Sequence, residues 1–208
     1  AVTARTQNSG QTCIAAKRMF IHTDVYEEFT ERFIEQMESL TVGDPTDPET
    51  DVGPQARGDL LTSLHEQVTD SVDMGAVLEC GGSPLDREGY FYPPTVLTDV
   101  PDDCPALSEE LFGPVATVVE VENENEAIAQ ANETQYGLSA SVWTTDLERG
   151  REVANQIEAG AVYVNEMSKS DPRLPFGGIK DSGYGSELSS HGIREFTNAK
   201  TYWIEPAE

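Results

Sequence analysis

Short apolar runs alternate with amphipathic helical stretches along most of this chain, and that alternation confines it to a small set of layered folds. Residues 18–22 read as a strand. A helix follows, with Asp24 as N-cap and Glu27 three residues on, in the spacing of a capping box. Tyr26, Phe29, Phe33, Met37 and Leu40 step by three or four and lay down one apolar stripe before Gly43-Asp44-Pro45 ends it. Leu61, Leu64, Val68 and Val72 mark a second helix ending near Gly75, and residues 76–79 a strand followed by a Gly-Gly-Ser-Pro loop. Residues 91–97 read as extended, with Pro93 and Pro94 confining them to an edge or irregular strand. Residues 115–121 are strongly strand-like. Asn123 with Glu126 opens a helix that Gly137 closes, and residues 139–143, 147–157 and 161–164 read as strand, helix and strand. This order predicts an α/β fold built on a largely parallel sheet flanked by helices, over residues 1–198. Residues 199–208 form a separate C-terminal piece, whose isolated extended run at 201–204 is expected to pair with a neighbouring subunit.

Charge narrows the function. The 208 residues carry 38 acidic against 13 basic side chains, a formal net charge of −25, with only four lysines among the basic ones. The acids are spread over helix faces and turns, so they do not form a disordered tail. Such a surface disfavours nucleic acid, which requires a basic footprint, and its self-repulsion is relieved by salt. The composition resembles that of proteins from salt-accumulating halophiles. Three scattered cysteines, Cys13, Cys80 and Cys104, offer no disulfide framework, and with three histidines and no Cys-x-x-Cys they offer no zinc site. A reducing cytoplasm is the expected compartment. No run is long and apolar enough for a membrane span.

Chemistry concentrates at Cys13, in the run Gln7-Asn8-Ser9-Gly10-Gln11-Thr12-Cys13-Ile14-Ala15-Ala16-Lys17-Arg18. A thiolate is the strongest side-chain nucleophile near neutral pH, and a small, polar, Gly-containing approach admits a carbonyl substrate. Asn8, Gln11 and Thr12 can orient groups around it. Without that context, Cys13 reads as a small hydrophobe ahead of a strand. Two further runs stand out: Glu109-Glu110-Leu111-Phe112-Gly113-Pro114 before a strand, and Pro175-Phe176-Gly177-Gly178-Ile179-Lys180-Asp181-Ser182-Gly183-Tyr184-Gly185. Alone, they read as a solvated turn and a sharp glycine-rich loop. The latter is neither a phosphate loop nor a dinucleotide fingerprint.

Together the three runs resemble the aldehyde dehydrogenase superfamily. Its active-site signature is an aromatic residue, then Asn-x-Gly-Gln-x-Cys, a small residue and a basic one. Asn8, Gly10, Gln11, Cys13, Ala15 and Arg18 match, while Thr6 replaces the aromatic. The resemblance implies that Cys13 is the nucleophile, that Glu110 holds the nicotinamide ribose of NAD or NADP, that Phe112 packs at its nicotinamide end, and that Phe176 lines the aldehyde pocket. The loop Asn165-Glu166-Met167-Ser168-Lys169-Ser170-Asp171-Pro172-Arg173 is similar to that of succinate-semialdehyde dehydrogenases. There a Ser and an Arg bind the distal carboxylate, which makes Ser170 the expected hydroxyl and Arg173 or Arg5 the expected cation. Gln7 stands where many of that subfamily carry Arg.

The implied reaction is oxidation of an aldehyde, succinate semialdehyde above all, through a thiohemiacetal and a thioester on Cys13. The expected partners are this small aldehyde and further copies of the chain. The family's dinucleotide-binding domain, general-base Glu and oxyanion Asn precede the cysteine, so they are expected in sequence upstream of Ala1. A coenzyme A-acylating dehydrogenase and a non-enzymatic assembly module are the rival readings.

Overall fold

The computed structural model describes residues 1–207 and is built around a four-stranded sheet. Its strands are β1 (Arg18–His22), β2 (Val77–Cys80), β3 (Thr95–Thr98) and β4 (Val115–Val121), in the order β1-β4-β3-β2. β4 runs parallel to both β1 and β3, and only β2 is antiparallel. Alternate residues of the central strands face opposite layers, as the two-residue strand period requires. Val96, Ala116 and Val118 pack with Met19, Phe33 and Met37 on one side. Leu97 and Val115 pack with Leu64, Val68, Tyr92 and Leu111 on the other.

Each layer is supplied by one long helix. α1 (Val2–Thr6) leads through a tight turn and a loop to β1, and α2 (Thr23–Glu38) then lays its predicted stripe on the sheet, with Phe29 and Phe33 stacked at 5.6 Å. α3 (Gly58–Asp73) covers the opposite face with Leu64 and Val68, beside the short α4 (Pro105–Ser108). Beyond β4, α5 (Glu124–Asn132) starts at Asn123, whose side chain accepts the Glu126 N–H as expected of an N-cap. Its last turn is held by Arg18, whose guanidinium donates to the carbonyls of Gln130 and Ala131.

The remaining chain makes two small sheets. β5 (Tyr136–Gly137) pairs with β8 (Ile179–Lys180), and β6 (Ser139–Val142) runs parallel to β7 (Ala161–Val164) beside α6 (Leu147–Ala154). α7 (Ser189–Glu195) follows. Among the described residues no helix is long and apolar enough to cross a membrane.

Three expectations are corrected. The N-cap of α2 is His22, whose Nδ1 accepts the Asp24 N–H at 3.2 Å, so Asp24 lies inside the first turn. The strand carrying Pro93 and Pro94 is interior and fully buried, because both prolines precede its ladder and withdraw no N–H from it. Gly137 closes no helix; α5 ends at Asn132, and Gly137 lies in β5, where a Cβ would press on the Ile179 side chain. Residues 201–207 form no strand within the chain, and Tyr202, Trp203 and Ile204 are exposed. Glu208, the end of the expected C-terminal piece, lies outside the described residues.

Candidate active site

The chain approaches Cys13 through three consecutive left-handed residues, Asn8, Ser9 and Gly10, at φ 50°, 56° and 73°. Asn adopts this region more readily than most residues because its amide can bond locally, and Asn8 Nδ2 donates to the Gln11 carbonyl at 2.8 Å. Gly10 is required by space as well as by φ. A Cβ there would overlap the Gly113 carbonyl oxygen, so the Cys13 loop rests backbone against backbone on the segment that carries Glu110.

The motif's polar side chains serve the loop rather than the thiol. Gln11 Nε2 donates to the Pro54 carbonyl at 3.0 Å, and its Oε1 accepts the Ala56 N–H at 2.8 Å. Ser9 Oγ accepts the Gly53 N–H at 2.9 Å. Three bonds thus tie the loop to residues 53–56, and Gln7 Nε2 reaches the Ile14 carbonyl from the other side. Among the described residues the Cys13 N–H has no acceptor of its own.

Two cations flank this loop. Arg5 is wholly buried, and its Nη2 donates to the Gly10 carbonyl at 2.8 Å while Nε and Nη1 have no partner. Burial lowers its proton affinity and the Glu110 charge raises it in return; a guanidinium nonetheless stays charged in proteins. The expected role of Arg5 as a ligand for a substrate carboxylate is corrected by this placement, since the group has no surface open to a ligand. Lys17 lies nearer the thiol. Its ammonium donates to the carbonyls of Cys13 at 3.2 Å and Ala15 at 3.3 Å, reaches that of Thr12 at 3.5 Å, and pairs with Glu110 Oε1 at 3.0 Å. The sequence reading gave Lys17 no role; the signal is four polar partners around one largely buried ammonium.

Glu110 is held from behind by α3, where Gln67 Nε2 donates to its carbonyl at 3.3 Å and to Glu109 Oε2 at 2.8 Å. Its carboxylate remains partly open, and Phe112 beside it is half-buried. A part-exposed carboxylate can accept both hydroxyls of a diol, and a part-exposed ring beside it offers a face to a planar group, so the pair fits a nicotinamide riboside.

The three thiols differ sharply. Cys13 is exposed, whereas Cys80 and Cys104 are buried, and burial pushes the Cys80 thiol up to about 11.

The downstream loop is assembled differently. Ser170 is exposed, and the buried hydroxyl of that loop is Ser168, bonded to Ser139 Oγ at 2.9 Å. Arg173 extends into solvent and forms a two-bond clasp with Asp171, whose carboxyl is held well below its ordinary range by those hydrogen bonds. Phe176 is buried and exchanges two backbone bonds with Glu187. No hydrogen bond or ion pair among the described residues joins Ser170, Arg173 or Phe176 to the network of Cys13, Lys17 and Glu110.

A family model for the aldehyde dehydrogenase family matches residues 1–202. The chain belongs to the aldehyde dehydrogenase family. It is 53% identical over 204 residues to succinate-semialdehyde dehydrogenase (NADP(+)) 1 of Mycobacterium ulcerans, covering 98% of this chain and 44% of that protein. The Mycobacterium tuberculosis protein of the same name is also 53% identical, with 45% of its length covered. Among solved structures, Gox0499 superposes with a TM-score of 0.95 at 43% identity, covering 98% of this chain and 45% of that one. An aldehyde dehydrogenase of Mycobacterium tuberculosis complexed with NAD+ gives 0.91 at 35% identity, covering 95% and 41%. The chain therefore spans under half the length of the curated relatives it matches.

Proposed function

We propose that this chain is the nucleophile-bearing part of an NAD(P)-dependent aldehyde dehydrogenase acting on succinate semialdehyde. The observation that carries the reading is the exposed thiol of Cys13 on a loop braced against the Glu110 segment. The Cys13 sulfur adds to the aldehyde carbon, and the carbonyl oxygen becomes an oxyanion within reach of the unengaged Cys13 N–H. A bound nicotinamide would supply the hydride acceptor for the oxidation of the thiohemiacetal. Glu110 would accept the ribose hydroxyls and Phe112 would pack at the nicotinamide end. The resulting thioester is hydrolysed by water, releasing the carboxylate and the thiol. The base for that water belongs to the portion of the relatives that this chain does not cover. Phe176 lines the aldehyde pocket, and Ser170 with Arg173 takes the distal carboxylate once Arg173 releases Asp171. The 53% identity to NADP(+) succinate-semialdehyde dehydrogenases favours NADP and this substrate. Residues 201–204 pair with another copy in a cytoplasmic homo-oligomer.

The test is steady-state oxidation by the full-length protein. Cys13→Ala is expected to lower kcat at least about a thousandfold, as loss of a covalent nucleophile does. Arg173→Ala is expected to lower kcat/KM for succinate semialdehyde about tenfold, the scale of one charge-assisted contact, and to leave an uncharged aldehyde of the same length unaffected. Acyl transfer to coenzyme A in place of hydrolysis would select the rival acylating reaction instead.

A further inference from the structure

We infer that Lys17 is a positioning residue that fixes the nucleophile loop and the ribose-binding carboxylate relative to each other. The second half of this inference rests on the reading of Glu110 as the ribose ligand.

The argument starts from donor geometry. An ammonium has three tetrahedral N–H bonds and no acceptor. Those of Lys17 are taken by the Cys13 carbonyl at 3.2 Å, the Ala15 carbonyl at 3.3 Å and Glu110 Oε1 at 3.0 Å, with the Thr12 carbonyl at the limit of reach. Those carbonyls flank the reacting residue on both sides, so turning the Cys13 peptide would break a bond to a cation. The same ammonium pins one oxygen of the carboxylate, and the other has no partner among the described residues. Neither partner is close to Lys17 by virtue of a shared helix or strand: Glu110 arrives on the separate segment entering β4, and Lys17 immediately precedes β1.

Lys17 is mostly buried, with 16% of its side chain exposed, so its contacts are little screened by water or salt. Burial and then the neighbouring Arg5 charge disfavour its protonated form, and Glu110 and Cys13 favour it. A buried cation held against a second cation is costly unless its hydrogen bonds are all made. Here they are made entirely to the nucleophile loop and to Glu110. A surface lysine serving solubility would have none of these features.

Three variants of the full-length enzyme separate the roles: Lys17→Met, Lys17→Arg and Glu110→Gln. The readouts are the rate of Cys13 carboxymethylation in the free enzyme, the dissociation constant of NADP+, and the melting temperature as a fold control. Lys17→Met is expected to slow Cys13 alkylation about tenfold and to weaken NADP+ binding about threefold or more, the range expected for losing hydrogen bonds to a charged group. Lys17→Arg, which keeps the charge, is expected to recover most of both. Lys17→Met combined with Glu110→Gln should weaken NADP+ by no more than about twofold beyond Glu110→Gln alone, because both act through one carboxylate.

Unchanged Cys13 alkylation in folded Lys17→Met overturns the inference. If Lys17→Met does not fold, alkylation in Lys17→Arg as slow as in an unfolded control, with the fold retained, overturns it as well. Slowed alkylation together with NADP+ affinity untouched by Glu110→Gln leaves Lys17 as the brace of the loop and removes the ribose assignment of Glu110.

Discussion

The loop that carries Cys13 and the loop that carries Ser170 and Arg173 are both irregular, yet their charged side chains are held in opposite ways. The first is fastened by contacts between distant parts of the chain: Gln11 to residues 54 and 56, Ser9 to Gly53, Gly10 against Gly113, and Lys17 to Glu110. The second is tied to the rest of the chain at Asn165, Ser168 and Pro172, through Thr144, Ser139 and Ser189, but its charged side chains pair within the loop, Asp171 with Arg173 and Glu166 with Lys169. Short-range exposed pairs contribute little to stability and give way easily. A nucleophile has to be fixed within a fraction of an ångström, whereas a loop that admits a substrate has to yield. Under the proposed function, the contrast gives the first loop the task of holding geometry and the second that of selecting the substrate.

Glycine substitutions break the comparison most forcefully. Gly10→Ala places a Cβ on the Gly113 carbonyl at a left-handed φ, and is expected to destabilise the fold by about 3–5 kcal/mol in urea melts. Gly183, at φ 118°, has nothing within reach of an added Cβ. Gly183→Ala should cost only the backbone strain, about 1–2 kcal/mol. Equal costs at the two sites would mean that the contact with Gly113 adds nothing to the backbone strain at Gly10.

Salt sharpens the comparison next. With a net charge of −25, screening that shortens from roughly 10 Å at 0.1 M to about 3 Å at 1 M should raise the melting temperature by about 10 °C between those conditions. The rate of Cys13 alkylation should change far less, because Lys17 is shielded. A melting temperature independent of salt would remove the halophilic character inferred from composition.

A smaller effect comes from Cys80. Its folded thiol is raised to about 11 from 9.0. At pH below 9 both folded and unfolded thiols are protonated and the full stability is present. Above 9 the unfolded thiol ionises first, so stability falls, by about 2 kcal/mol once pH passes 11. Cys80→Ala should remove this contribution to the alkaline loss of stability, measured by denaturant melts across that range.

The parts of the site legible in sequence are those in which neighbours along the chain do the work. The Asn8–Cys13 run, the Glu110–Phe112 run and the apolar stripe of α2 all announce themselves through spacing. The interior position of β3 was hidden because Pro93 and Pro94 look like strand residues until the ladder shows that they precede it. His22 displaced Asp24 as N-cap because the helix begins already at Thr23, where the His22 ring Nδ1 accepts the Asp24 N–H of the first turn. Arg5 reads as a surface cation near a motif, and only packing reveals that it is buried and donates to the Gly10 carbonyl. Lys17 stands in plain view inside the motif, but its carboxylate partner lies in a different run, and no local spacing rule joins them.

The central claim is that Cys13 alone among these thiols is presented for chemistry, and a brief iodoacetamide reaction on the folded full-length protein, followed by peptide mapping, tests it directly. The account predicts that Cys13 is modified first, with Cys80 and Cys104 labelled only after unfolding. Labelling of Cys80 or Cys104 ahead of Cys13 would contradict it.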